Sequence, residues 1–210
     1  MKNEFFKRLL SSIILIPISI FFIIKWSIFF NIFIIICFFI TIYEWFKMIK
    51  KNLTKIIGLI FLVLSFYSIY KIRNDFDRDF LYLFFVTVVC VSTDLGGYIF
   101  GKIFKGPKLI KISPNKTYSG SIGGYLFSVI FTYIYLNFEQ IEFTTEVFIF
   151  VVLISTVSQL GDILISYFKR LSKIKDTGKI IPGHGGLLDR IDGMIFAFPF
   201  TYLIFLNWTF

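Results

Sequence analysis

Long apolar runs separated by short charged stretches set the first limit on this chain of 210 residues. A run of roughly 20 apolar residues is what an α-helix needs to cross a hydrocarbon core about 30 Å thick. Seven runs can be drawn, at 9–24, 27–46, 56–70, 80–101, 120–137, 147–168 and 193–208. The third and seventh are short, which suits a tilted or partly interfacial helix. Lipid offers no partner to a bare peptide group, and the runs lack the alternation of a barrel strand, so the spans are expected to be helical. Composition agrees. The chain is 57% hydrophobic, 21% aromatic and 17% charged, whereas disorder needs low hydrophobicity and high charge. The expected fold is all-α: a polytopic integral membrane helix bundle of about seven transmembrane helices. The basic start Met1–Arg8 followed by an apolar run looks like a secretory signal. No small-x-small cleavage site follows and another run begins at once, so it reads as a retained first helix. Cys37 and Cys90 both lie inside apolar runs and read as small core residues rather than a disulfide framework.

The formal net charge is +9. In a soluble protein such an excess would point to nucleic acid; here its placement reports orientation, and no nucleic-acid partner is expected. Of the 22 basic residues, 18 fall in one set of alternating inter-span segments and 4 in the other. Segments rich in Lys and Arg stay in the cytoplasm, which puts the N-terminus inside and the C-terminus outside. By chain order, 1–75 reads as N-terminal transmembrane helices. The rest, 76–210, reads as a catalytic transmembrane domain with cytoplasmic-face loops at 102–119 and 169–192.

Glu44, Asp94 and Asp162 sit inside or at the edge of apolar runs. An acid at mid-bilayer costs about 2.5–3.5 kcal/mol on insertion scales, so each calls for a partner. For Glu44, beside Trp45 and Lys47, the plain expectation is a neighbouring base or a helix cap. Asp94 and Asp162 lie about seven residues before the expected ends of their spans, roughly 10 Å inside at 1.5 Å per residue. With Asp189 and Asp192 at the start of the last span, all five can gather in one layer near the inner headgroups.

Two polar segments carry the chemistry. Ser166–Gly193 is far longer than the few residues a helix connection needs. Pro182 and the glycines at 178, 183, 185 and 186 break helix there, leaving backbone N–H groups able to face an anion. Asp189 and Asp192 share a face if helical, and Asp162, Ser166 and Lys169/Arg170 share another. Three carboxylates with several cations suit phosphate chemistry through a divalent metal: Mg²⁺ takes carboxylates, phosphates and water, and charge on a transferring phosphoryl group must be neutralised. No His/Cys set suits zinc. His184, the sole histidine, is either a polar loop residue or a direct participant. In the second segment, Gly96, Gly97 and Gly101 favour close helix packing. Ser113-Pro114-Asn115-Lys116-Thr117 reads as a compact turn, in which Lys116 and Thr117 hold a phosphate at a helix N-terminus or simply meet anionic lipid. No P-loop and no nucleophile elbow is present.

From Ser166 to Asp192 the chain reads S-x-x-K-R-x4-K-D-x-G-x3-P-G-H-G-G-x2-D-R-x-D. This resembles the signature of the phosphatidate cytidylyltransferases (CDP-diacylglycerol synthases) at every fixed position. Ser113–Thr117 resembles the family's S-P-K-K-T segment, with Asn115 in place of a lysine. Asp94 with Gly96, and Gly161-Asp162, resemble two further family stretches. The resemblance covers about 90–205; the first 90 residues match only in hydrophobicity, and the chain is shorter than many members, which implies fewer N-terminal spans. It implies the reaction CTP + phosphatidate → CDP-diacylglycerol + pyrophosphate, in phospholipid synthesis at the cytoplasmic face of the cell (inner) membrane. It further implies Mg²⁺ held by Asp162, Asp189 and Asp192, with or without a second cation, and a homodimer. Phosphates would be bound by Lys116, Lys169, Arg170, Lys175 and Arg190. Ser113, Thr117, Ser166, Asp94 and His184 would be further members of the site.

Three rivals share features with this reading. A CTP-dependent membrane lipid kinase would use the same metal and cations. An ion-coupled transporter would use Asp94 and Asp162, but such proteins bind near the midplane and carry repeats, and none is evident here. A CDP-alcohol transferase would need a D-G-x2-A-R pattern, which is absent.

Overall fold

A computed structural model describes residues 17, 19–24, 27–75, 80–110, 113–181, 183 and 185–206. Among them are α1 (Ser27–Met48), α2 (Asn52–Asp75), α3 (Leu81–Phe104), β1 (Lys108–Ile110), β2 (Ser113–Thr117), α4 (Tyr118–Phe138), α5 (Thr145–Leu171), α6 (Leu188–Ile191) and α7 (Met194–Phe205). The helices α1 to α5 are each long and apolar enough to cross a membrane, while α7 is a shorter apolar helix. Most of the expected first span, 9–24, lies outside the described residues. The third span is longer than its apolar run suggests: α2 has 24 residues, because polar ends with Asn52 and Lys71–Asp75 continue the helix. The segment read as a compact turn before the fifth span is instead an antiparallel pair, with Lys108 opposite Thr117 and Ile110 opposite Ser113.

By their contacts the residues fall into two compact units, 1–70 with 168–191, and 71–167 with 192–210. The signature loop falls in the same unit as the N-terminal helices.

In the first unit, α1 and α2 meet through Phe38 and Phe66, with ring centroids 5.3 Å apart. A second meeting point is a notch at Gly58, where any Cβ would collide with the Trp45 ring. The Trp45 indole N–H donates to Lys55 O (3.3 Å), so the buried aromatic keeps its polar tip satisfied. Hydroxyls in the spans turn back on their own helix. Thr41 donates to Cys37 O, Ser65 to Phe61 O and Ser68 to Leu64 O, which removes the cost of an unmet donor in lipid.

In the second unit, α3 and α4 cross on glycines. A Cβ at Gly123 would stand 2.7 Å from Gly96 O and press on the Phe100 side chain, and one at Gly120 would stand 2.8 Å from Gly97 O. Without a hydrophobic drive between helices in lipid, such backbone approach supplies the packing. The close packing expected of Gly96, Gly97 and Gly101 is tightest at Gly96, where a Cβ would collide with the Gly123 backbone; one at Gly101 would lie 3.2 Å from Thr117 Oγ1, and one at Gly97 would have room. Helix α5 joins through Thr93 Oγ1 donating to Ser155 Oγ (2.9 Å) and a Tyr125–Thr156 hydroxyl pair at 3.0 Å. Rings close the far end: Phe85 stacks on Phe150, and Phe205 of α7 meets both Phe150 and Tyr82. Cys90 is fully buried there, and both cysteines are free thiols.

The glycine crossing makes a prediction. Gly123→Ala should destabilise the protein by about 1–3 kcal/mol through overpacking. Gly97→Ala, whose Cβ would meet nothing closer than Gly120 O at 3.7 Å, should leave it unchanged. Thermal midpoints of the two variants in detergent test the contrast.

Candidate active site

The second unit holds a paired lysine and aspartate. Strand β2 ends where α4 begins, and Thr117 marks the join. Its φ/ψ is extended and its side chain accepts from Gly120 N, the usual N-cap arrangement. The Thr117 hydroxyl also lies 3.0 Å from Ser119 Oγ, which accepts from Gly106 N (3.3 Å). One residue earlier, Lys116 sends Nζ to Asp162 Oδ2 at 2.6 Å, with side chains 21% and 31% exposed. Ser166, a turn further along α5, lies 3.4 Å from Asp162 Oδ1. Asp162 therefore meets its membrane cost with an ammonium. It stands nine residues before the end of α5 at Leu171, about 14 Å by helix rise, because the helix runs past the apolar run through Lys169 and Arg170. Asp94 likewise lies deeper in its helix, because α3 runs on to Phe104; its residue is exposed.

Asp192 occupies the turn between α6 and α7. It is 7% exposed, and its Oδ1 accepts from Gly193 N (3.0 Å). A Cβ at Gly161 would lie 3.0 Å from Asp192 O, so this turn packs on the residue preceding Asp162. A polar pair that the sequence reading passed over lies one turn deeper: Ser121 of α4 donates to Gln159 Oε1, and Gln159 Nε2 faces Ser155 Oγ at 3.4 Å. A glutamine three residues from Asp162 in an otherwise apolar run was the available signal.

The first unit holds the signature loop, organised by two acids. Asp189 Oδ1 pairs with Lys169 Nζ at 2.9 Å, with side chains 6% and 11% exposed. Its Oδ2 accepts from Thr177 N (2.8 Å) and Gly186 N (2.9 Å) and lies 3.0 Å from Thr177 Oγ1. Glu44, from α1, is fully buried. It accepts from Thr177 Oγ1 (3.0 Å), Leu187 N (3.0 Å) and Leu188 N (2.8 Å). Of the two roles open to Glu44, the structure realises the cap, on a helix 144 residues away. The N–H groups of 177 and 186–188 are thus taken by the chain's own carboxylates. A tight turn closes at Ile181 N→Gly185 O (3.0 Å). Gly185 has φ 91°, a conformation that side chains resist. Pro182 and His184 lie outside the described residues.

The remaining cations of the loop face outward. Arg170 is exposed and donates to Ile174 O (3.0 Å), and Lys175, Asp176 and Arg190 are exposed. Ser113 is half-buried in β2. Among the described residues, no three Asp, Glu, His or Cys side chains stand together as a ready-made cage for an ion. The donor chemistry near Asp162 nonetheless suits a hard cation. Its carboxylate already holds a positive group at close range, and Mg²⁺ takes only one or two carboxylates when phosphates and water complete its shell.

A family model described as the cytidylyltransferase family matches residues 53–208. The chain belongs to the cytidylyltransferase family. A phosphatidate cytidylyltransferase of Rickettsia conorii is 35% identical over 215 residues, covering 98% of this chain and 91% of that protein. One from Bacillus subtilis is 37% identical over 150 residues, covering 70% of this chain and 56% of that protein. One from Brucella suis is 38% identical over 147 residues, covering 70% and 54%. The family likeness therefore extends through α2, and the Rickettsia likeness through nearly the whole chain, where the sequence reading found only shared hydrophobicity before residue 90.

The two kinds of ion pair should behave differently. Lys169→Met strands the buried Asp189 carboxylate and should cost about 3–5 kcal/mol. Lys71→Met, in an exposed pair with Asp75 at 2.8 Å, should cost less than about 1 kcal/mol. Denaturant titration of the two purified variants measures both.

Proposed function

We propose that this membrane protein transfers the cytidylyl group of CTP to phosphatidate, giving CDP-diacylglycerol and pyrophosphate, at the cytoplasmic face of the cell membrane. The observation that carries the reading is the Lys116–Asp162 pair beside the α4 N-cap, set among bilayer-length helices in a chain of the cytidylyltransferase family. The substrates differ sharply in solubility. One is a lipid with a charged head and the other a water-soluble triphosphate, and they can meet only where paired charges stand at the end of apolar helices.

A phosphate oxygen of phosphatidate attacks the α-phosphorus of CTP. The new P–O bond forms as the bond to the β-phosphate breaks, and pyrophosphate leaves with that electron pair. The lipid's own phosphate is the nucleophile, so no side-chain nucleophile is required. The chain's residues bind and orient. Lys116 and the capped start of α4 offer positive charge to one phosphate, and Ser166 orients the Asp162 carboxylate. On the loop, Lys175, Arg170 and Arg190 reach solvent, where a triphosphate arrives. Asp162 and Asp192 would hold Mg²⁺, which when bound neutralises charge on the triphosphate. By family resemblance Asp189 would be a further holder of the ion, and Lys169 would bind phosphate. His184 remains a member of the site by resemblance, and so does a homodimeric state.

The test is incubation of the purified protein with phosphatidate, Mg²⁺ and CTP labelled at the α-phosphate. Label should enter the organic phase, EDTA should stop the transfer, and added Mg²⁺ should restore it. Asp162→Asn and Asp192→Asn should each lower turnover by on the order of 10³-fold while the protein still inserts, as expected for loss of preorganised charge at the reacting phosphorus. Label entering lipid only from the γ-phosphate would overturn the reading, as would full activity after exhaustive chelation.

A further inference from the structure

Glu44 stands outside every reaction role named above, yet among the described residues it is the most completely enclosed acid in its unit, at 0% exposure. A buried carboxylate is costly unless donors surround it, and here three do: one hydroxyl and two backbone N–H groups, all from the signature loop and the start of α6. A second observation points the same way. A Cβ at Gly178 would stand 2.5 Å from Glu44 Oε1, and one at Gly186 would stand 2.5 Å from Oε2. Glycine at these two signature positions leaves room for the Glu44 carboxylate and, at Gly186, for the Thr177 hydroxyl, the atom nearest its Cβ position. Gly178 and Gly186 need not touch substrate to be required.

Thr177 links this acid to the chemistry. Its hydroxyl lies 3.0 Å from both Glu44 Oε2 and Asp189 Oδ2, and its N–H donates to Asp189. A hydroxyl has one proton to give, so it donates to one carboxylate at a time, while the Thr177 N–H stays on Asp189. The loop has little regular structure of its own between Leu171 and Leu188. Its shape is set by these few bonds, and an unanchored loop of that kind opens locally at small cost.

We propose that Glu44 is a positioning residue for cytidylyl transfer, acting through Thr177 and the N–H groups of Leu187 and Leu188 to hold Asp189 and Arg190 in working register. The proposal rests on the function proposed above and assigns that site a dependence on α1, a helix that carries none of the reacting groups. A side-chain displacement of about 1 Å can cost on the order of 10²-fold in rate, so the clamp's loss should appear in turnover rather than in folding.

The experiment compares purified Glu44→Ala, Glu44→Gln, Thr177→Val and Thr177→Ser. Two readouts are taken from each: kcat and KM for both substrates, and tryptic cleavage at the exposed Lys175 and Lys179, referenced to the exposed Lys102 and Lys105. Cleavage of a transiently opened loop tracks the population of the open form. Glu44→Ala should raise cleavage at Lys175 and Lys179 alone and lower kcat by about 10²-fold. Glu44→Gln, keeping one acceptor oxygen, should fall between, Thr177→Val should follow Glu44→Ala, and Thr177→Ser should match the parent. A Glu44→Ala enzyme with parental kcat, or a loop as protected as the parent's, overturns the proposal. So does cleavage that rises equally at the reference lysines, which marks general unfolding. If the parent makes no liponucleotide, the functional reading fails on its own, while the cleavage ratios still judge the clamp.

Discussion

An ionised group shut away from water must be met by donors or by an opposite charge, and the polar architecture of this chain follows from that demand. Asp162 meets it with Lys116, Asp189 with Lys169 and two loop N–H groups, and Glu44 with two peptide N–H groups, while the Thr177 hydroxyl lies between the last two acids. Each solution recruits residues distant in sequence. The acids therefore do more than occupy a site; they decide where a strand pair and a glycine-rich loop come to rest. In a chain whose helices gain little from burying apolar surface against one another in lipid, a few such bonds carry a large share of the specificity.

The same reasoning explains the glycines, which serve two different ends. In the α3–α4 crossing they bring backbones together and give packing where no hydrophobic drive exists. In the signature loop Gly178 and Gly186 leave room for a carboxylate, while Gly185 adopts a backbone angle that other residues avoid. Substituting a glycine would in one case separate helices and in the other displace an acid. The outcomes would differ accordingly, one in stability and one in the shape of the loop.

Transfer between a lipid phosphate and a soluble nucleotide requires a protein to keep charge near the end of apolar helices without losing the helices. The arrangement here separates the tasks. Back-bonded Ser and Thr side chains and glycine contacts keep the spans self-sufficient, and the cations sit on a strand pair, in the last turn of α5 and on the loop that follows it. Lys116 and Lys169 are both held by aspartates, so each ammonium is kept in a defined place.

The helical membrane architecture was legible in the sequence because hydropathy alone fixes it: an apolar run of sufficient length has no other stable form in lipid. The signature residues were legible too, since their order along the chain is itself the signal. Helix ends were less so. Polar residues at the ends of α2 and α3 continue the helix, and neither apolar length nor charge marks where it stops. Pairings across long separations were not legible at all. Nothing near Glu44 announces Thr177 or Leu188, and nothing in S-P-N-K-T reveals that it pairs as a strand and delivers Lys116 to Asp162. Composition and spacing determined that this chain makes membrane helices with charged loops. Which carboxylate meets which donor was decided only by tertiary structure, because a hydrogen bond depends on positions within a few ångströms, and chain order does not encode those positions locally.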